Sequence, residues 1–276
     1  MENFKKQNNS SSFYAHLYDD PSTKNLKITE LANYLREKSL FKKTDARKSL
    51  LENNKESVED LAEKFSRTRI RDLRNPKSDF DPLLGEIRFE KDLVRNPEKK
   101  ITGILYDGPS LMRVFHELIP EEERNYSHLH IIFTNRLIGT WDQGDHRYHA
   151  RVSVYGYPSL VSTTGIVEAP AKPKEFYRLK RKLAASGKST PLELLKEKFE
   201  GRFIDYDDDK LTEVMKGYLI QAVFHHFTSN PFCENENCRL YNGHWQEEVI
   251  KAQLSEPDFC SEHEKAIEGL KKKLRS

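Results

Sequence analysis

The chain has no uninterrupted apolar run approaching the roughly 18 residues that a membrane-crossing helix needs. Its first twelve residues, MENFKKQNNSSS, have no apolar segment of the kind a secretory signal carries. Charge of one sign is also scarce: 46 basic against 44 acidic residues leave a formal net charge of +2, which predicts no nucleic-acid partner by itself. Cysteine is rarer still. Three is an odd number, unsuited to a disulfide framework, and all three fall between residues 233 and 260. These absences point to thiolate chemistry in a reducing compartment, so the expected location is cytoplasmic, with no membrane partner.

What is present is enough for a folded core. In 276 residues, 36% are apolar and 33% charged, but 15 Phe, 12 Tyr and 2 Trp supply large buriable groups that disordered chains lack. Alternation in SFYAHLY (Ser12–Tyr18) predicts a strand, and Ile28, Leu31, Ala32 and Leu35 fall at helical spacing. Ser57 followed by Asp60 predicts a capped helix start ahead of Val58, Leu61, Ala62 and Phe65. Residues 67–100 read as charged loops with no period. Beyond them ITGILYD (Ile101–Asp107) predicts a strand, and Ser110 is expected to cap a helix running to Leu118. HLHIIFT (His128–Thr134), ARVSVYG (Ala150–Gly156) and GIVEAP (Gly165–Pro170) read as further strands.

Helices are expected over 174–185 and 191–200, the latter capped by Thr190 with Pro191 in its first turn. A long helix follows Asp207-Asp208-Asp209, with Leu211, Val214, Met215, Tyr218, Leu219, Ala222 and Val223 on one apolar face. The fold class is therefore mixed α/β (α+β). The expected division is a flexible tail over 1–11, an N-terminal α/β region over 12–100, and a second region over 101–276.

The most informative stretch is FCENENCRLYNGHWQEEVIKAQLSEPDFCSEHEK. Cys233 and Cys238 form a C-x4-C pair, and Cys260 with His263 a C-x2-H pair, 21 residues further on. Short-spaced pairs each provide two corners of a tetrahedron. Four protein ligands leave no open position, so the expected cofactor is one structural zinc per chain, held by Cys233, Cys238, Cys260 and His263. His244 is an alternative fourth ligand.

This cluster directly after a long helix resembles the archaemetzincins, zinc metallopeptidases that carry HExxHxxGxxH followed at once by C-x4-C-x-M and a later C-x2-C. Cys233, Cys238 and Cys260 match that pattern, Leu240 stands at the Met, and His263 replaces the last cysteine. The catalytic motif would occupy AVFHHFTSNPF, residues 222–232, where only His226 matches, at the second zinc histidine. Ala222 and Val223 stand at the first histidine and the glutamate base, Ser229 at the glycine, and Phe232 at the third histidine. An alanine and a valine can neither bind zinc nor take a proton from its water. The block His130–Tyr177 and the FCENxNCRLYNxHWQEE stretch are similar to an archaeal family of unknown function usually labelled metallopeptidases, a resemblance covering about residues 100–265. It implies a metzincin-like sheet, in which HLHIIFT is the edge strand that holds a peptide, backed by the helix Lys210–His226.

Three functions follow as expectations. The first is a catalytically degenerate archaemetzincin-like protein that binds a peptide or protein. The second is an active metal-dependent hydrolase with a rebuilt site. There the His225-His226 pair would supply one ligand, His149 or His130 would complete the set, and Glu168 would serve as base. Adjacent histidines on a helix point about 100° apart, so a packed His226 is the plainer reading. Asp145, His146 and His149 in DQGDHRYHARV are plainer as a charged hairpin. The third is a zinc-stapled RNA- or ribosome-associated factor, suggested by KPKEFYRLKRK (Lys172–Lys182) and RTRIRDLR (Arg67–Arg74). VSTTGIVEAPAKP (Val161–Pro173) matches no nucleotide-binding fingerprint, and reads as a loop that fixes a cleft.

Overall fold

The computed structural model describes residues 12–52, 56–76, 80–185 and 192–275. The expected tail over 1–11 and the Thr190–Pro191 cap lie outside them. The first half runs β1 (Tyr14–Tyr18), α1 (Ile28–Glu37), β2 (Lys43–Arg47), α2 (Val58–Arg67), α3 (Leu84–Arg95), β3 (Leu105–Asp107) and α4 (Gly108–Leu118). Then come β4 (His128–Thr134), β5 (Leu137–Asp142), β6 (Arg147–Arg151), β7 (Ser153–Val154), β8 (Ser159–Ser162), α5 (Gly165–Glu168), α6 (Lys174–Ala185) and α7 (Leu192–Glu197). The chain finishes with α8 (Leu211–Thr228), α9 (Gln246–Gln253) and α10 (Ser261–Arg275). The architecture is mixed α/β.

One sheet has the order β2-β1-β4-β8-β7, parallel except for β7; a second has the order β3-β5-β6. Strands from both sides of residue 100 pair directly, β1 with β4. Alternation along β1 and β4 divides their side chains between two cores. Ala15, Leu17, Leu129, Ile131 and Phe133 pack with α1 and α8, whereas Tyr18 and Ile132 pack with residues of α2, α3 and α4.

Helix α8 is apolar nearly all round and lies in the core, as an element with that pattern must. Gly217 lets α9 approach it: a Cβ there would stand 1.5 Å from Gln253 Oε1.

Several expectations are corrected. β4 is not an edge strand, because β1 and β8 flank it in parallel and use its backbone groups on both sides. ARVSVYG splits between sheets: β6 pairs with β5, β7 pairs with β8, and Val152 between them accepts a hydrogen bond from Ser162 N (2.7 Å). GIVEAP forms the short helix α5. Helix α4 is capped by Asp107, whose carboxylate accepts from Ser110 N (2.9 Å), so Ser110 lies inside the helix. The 67–100 segment contains α3, hidden from periodicity because Glu90 is fully buried on its inner face.

Candidate metal centre

The loop after α8 and the start of α10 bring the two Cys/His pairs together. Ligand atoms from Cys233, Cys238, Cys260 and His263 all lie within 4.8 Å of one another. Cys233 Sγ and Cys260 Sγ are 3.9 Å apart, close to the edge of about 3.8 Å for a tetrahedron with Zn–S bonds of about 2.3 Å. Cys260 Sγ is 3.2 Å from His263 Nδ1. Backbone bonds set the loop: Cys233 N donates to Leu240 O (2.9 Å) and Cys238 N to Asn235 O (3.0 Å). The donor set, four borderline-soft groups and no open corner, fits a structural zinc. His244 is not part of it; that ring lines the cleft described below.

Electrostatics divide the thiols. Burial pushes Cys233 up to about 12 and raises Cys238 as well. Burial acts on Cys260 in the same direction, but hydrogen bonds with the His263 backbone and with the other two thiols bring it below its usual value. Arg239, only 5% exposed, anchors the loop to α8 through Glu213 (2.5 Å) and to the segment before Cys260 through Asp258 (2.8 Å). Asp258 in turn accepts from Tyr34 on α1 (2.8 Å). This network ties α1, α8 and the segment before Cys260 together.

A cleft of about 550 Å³ opens beside the C-terminal end of α8. Its walls include His149 and Arg151 of β6, Tyr155, His225, Phe232 and His244, with Pro170 from the loop after α5. β6 pairs with β5 on one side, and no strand pairs with its other side among the described residues. Tyr155 donates to Gln221 of α8 (2.5 Å) and its ring stands 5.9 Å from that of His225.

The catalytic candidates are not gathered. His226 turns away from the cleft and stacks on Tyr126 (centroids 4.5 Å apart) between Phe13 and Phe227. Its Nε2 is buried without a hydrogen-bond partner among the described residues. Its neighbour His225 faces the cleft, as the 100° step between adjacent helical residues dictates. His149 pairs with Asp145 (2.8 Å), and Glu168 accepts a hydrogen bond from Tyr206. Three of the four arginines of RTRIRDLR are also engaged: Arg67 with Glu63 and Asp81, Arg69 with Glu90, and Arg71 with Glu86.

One group escaped sequence reasoning except for His130, which was expected to join His226 and instead lies with other partners. His16, Glu123, His128 and His130 place ligand atoms within 4.8 Å of one another. Burial holds His130 down at about 3 and His16 below its usual value, so both rings are neutral near neutral pH. The available signal was the alternation of AHLY and HLH, which puts each strand's histidines on one face.

A mixed α/β chain in which a buried helix runs into a cluster of three cysteines and a histidine is a zinc-binding, metallopeptidase-like protein. It belongs to the Probable metallopeptidase family (DUF6775), whose model matches residues 11–270. Two solved structures are similar to it. An archaemetzincin from Methanopyrus kandleri is 13% identical, with 96% of this chain and 97% of that one covered and a TM-score of 0.40. A zinc-dependent peptidase from Methanocorpusculum labreanum is 14% identical, with 92% and 99% covered and a TM-score of 0.42. No curated protein matches the chain.

Proposed function

We propose that the protein keeps the framework of its family and a structural zinc at Cys233, Cys238, Cys260 and His263, has lost hydrolysis at the α8 motif, and uses the cleft to bind an extended peptide. The observation that carries the reading is the chemistry of α8. Ala222 and Val223 are both wholly buried in the core, and His225 is the histidine of that helix which faces the cleft. His149 and His244 line the same cleft, but among the described residues His225 belongs to no group of three ligand atoms close enough to hold one ion, and Val223 stands where the family motif has its carboxylate base.

Binding is supported by Tyr155 and Phe232, which line the cleft and offer aromatic surface to the side chains of a peptide. Phe232 is 39% exposed, large for an apolar ring without a partner to cover it.

The test pairs turnover with binding. Zinc-loaded protein should not cleave fluorescein-labelled casein above a protein-free blank, yet should bind labelled casein peptides saturably by anisotropy. Phe232→Ala should weaken that binding by about tenfold, on the order of 1.4 kcal/mol, as removal of an aromatic anchor does. Zinc-dependent cleavage would overturn the loss of hydrolysis, and non-saturable binding would overturn the peptide reading.

A further inference from the structure

A second constellation of ligands stands on the other face of the main sheet. β1 and β4 run parallel and in register, with Tyr14 beside His128 and His16 beside His130. Their intervening residues face α8, so the three histidines face away from both the cleft and the cysteine cluster. His16 and His130 are 3% and 0% exposed, while His128 and Glu123 are half-buried, which leaves the group reachable from one side.

Burying His16 and His130 beside a half-buried third imidazole is costly unless their nitrogens are used. Here each is aimed. His16 Nε2 lies 2.8 Å from His128 Nδ1. Behind it, His16 Nδ1 donates to Asp45 Oδ1 (2.6 Å), which fixes the tautomer and turns the Nε2 lone pair inward, the carboxylate–histidine arrangement found behind metal ligands. Tyr18 OH is 3.1 Å from His130 Nδ1, and His130 Nε2 is 3.1 Å from the Glu123 carbonyl. That carbonyl also accepts from Tyr157 OH (2.6 Å), so it keeps a donor if His130 turns to another partner. The Glu123 carboxylate is held by Arg47 at 2.6 and 2.7 Å, and Asp45 also faces Arg47 at 3.3 Å. Two carboxylates, Asp45 and Glu123, stand against one guanidinium, Arg47, beside the rings, so the surroundings have room for positive charge.

We propose that His16, His128 and His130 bind a divalent transition ion of the zinc class, with the fourth position open to water. This goes beyond the peptide-binding reading and does not depend on it. Three imidazoles suit zinc, cobalt, nickel or copper, and three protein ligands with one free corner is the arrangement of reactive sites, unlike the closed cysteine cluster. The ion is additional to the one per chain that the sequence suggests.

Cobalt(II) added to the full-length, metal-stripped protein tests it. Two equivalents should bind, of which only one carries thiolate-to-cobalt charge-transfer absorption. His128→Ala, at a half-buried position, should abolish the equivalent without charge transfer and leave the thiolate band intact, the band itself reporting that the chain has folded. Asp45→Asn should weaken the same equivalent by about 10–100-fold while keeping all three ligands. Binding of a single equivalent by the unaltered protein, or of two by His128→Ala, would overturn the proposal and leave a hydrogen-bonded stack of rings.

Discussion

At the scale of the residue, the protein's most consequential side chains are those whose surroundings fix their state. Cys238 is the fully buried member of the cysteine cluster, so a ligand lost there has no solvent-exposed alternative. Metal-binding energy at such a site is folding energy. Cys238→Ser should therefore lower the melting temperature by more than about 10 °C, the equivalent of several kcal/mol in a chain of this size, and reduce zinc retained through gel filtration. Unchanged melting with full zinc content would show that the cluster holds no structural ion. His226 illustrates the opposite case, a residue that matches a family motif in sequence yet lies packed among aromatic rings.

At the scale of the element, α3 shows how a helix can depend on buried charge. Glu90, with no exposed side-chain surface, accepts from Arg136 (2.9 Å), Arg69 (2.6 Å) and Tyr106 OH (2.8 Å), and Arg136 stacks over Phe65. Glu90→Gln leaves Arg136 buried without its counter-charge and should cost about 3–5 kcal/mol in urea unfolding. A cost under about 1 kcal/mol would mean that water reaches the arginine. The start of the same helix is sensitive to acid. Burial tends to raise the Glu86 carboxyl, but Arg71 and the Leu83 N–H outweigh it and hold the group below its ordinary 4.5. A carboxyl depressed in the folded state contributes stability above its unfolded value, and that contribution is lost as pH falls through the folded one. Thermal melts over roughly pH 3–5 should show a steeper acid loss for the unaltered protein than for Glu86→Gln. Parallel curves would remove Glu86 as a source of acid sensitivity.

The same elements show how far local pattern reaches. The spacing of Ile28, Leu31, Ala32 and Leu35 specifies α1, and Ser57 accepts from Asp60 N (3.0 Å) as its position suggests. α3 was illegible because a charged residue occupies its inner face, and β2, KTDAR, because an edge strand with polar residues has no apolar alternation to display. Sequence pattern also cannot show that a chain changes sheets at Val152, since both halves remain extended.

At the scale of the whole molecule, the segment that carries the cysteine cluster is tied to the core through Arg239 and Asp258, and a zinc held there is proposed to clasp the tail. Arg239 and Asp258 connect that segment to α8 and α1, while β1, β4 and β8 are held by their own ladder hydrogen bonds. Metal removal by chelator should raise amide exchange first in α9 and α10, with the central strands protected longest. Uniform loss of protection would instead mean that staple and sheet unfold as one cooperative unit.

The cysteine cluster and the buried helix ahead of it were both legible without coordinates. In each case the information is local, a ligand spacing or a helical period within a few tens of residues. Tertiary structure decided that β4 is central, that His225 and not His226 meets the cleft, and that His16 joins His128 and His130. Those outcomes depend on strand order and register between segments 112 residues apart in the chain, and on the phase of a helix against its neighbours. Neither follows from spacing, because parallel pairing is fixed only when the cores on both faces of the sheet are filled.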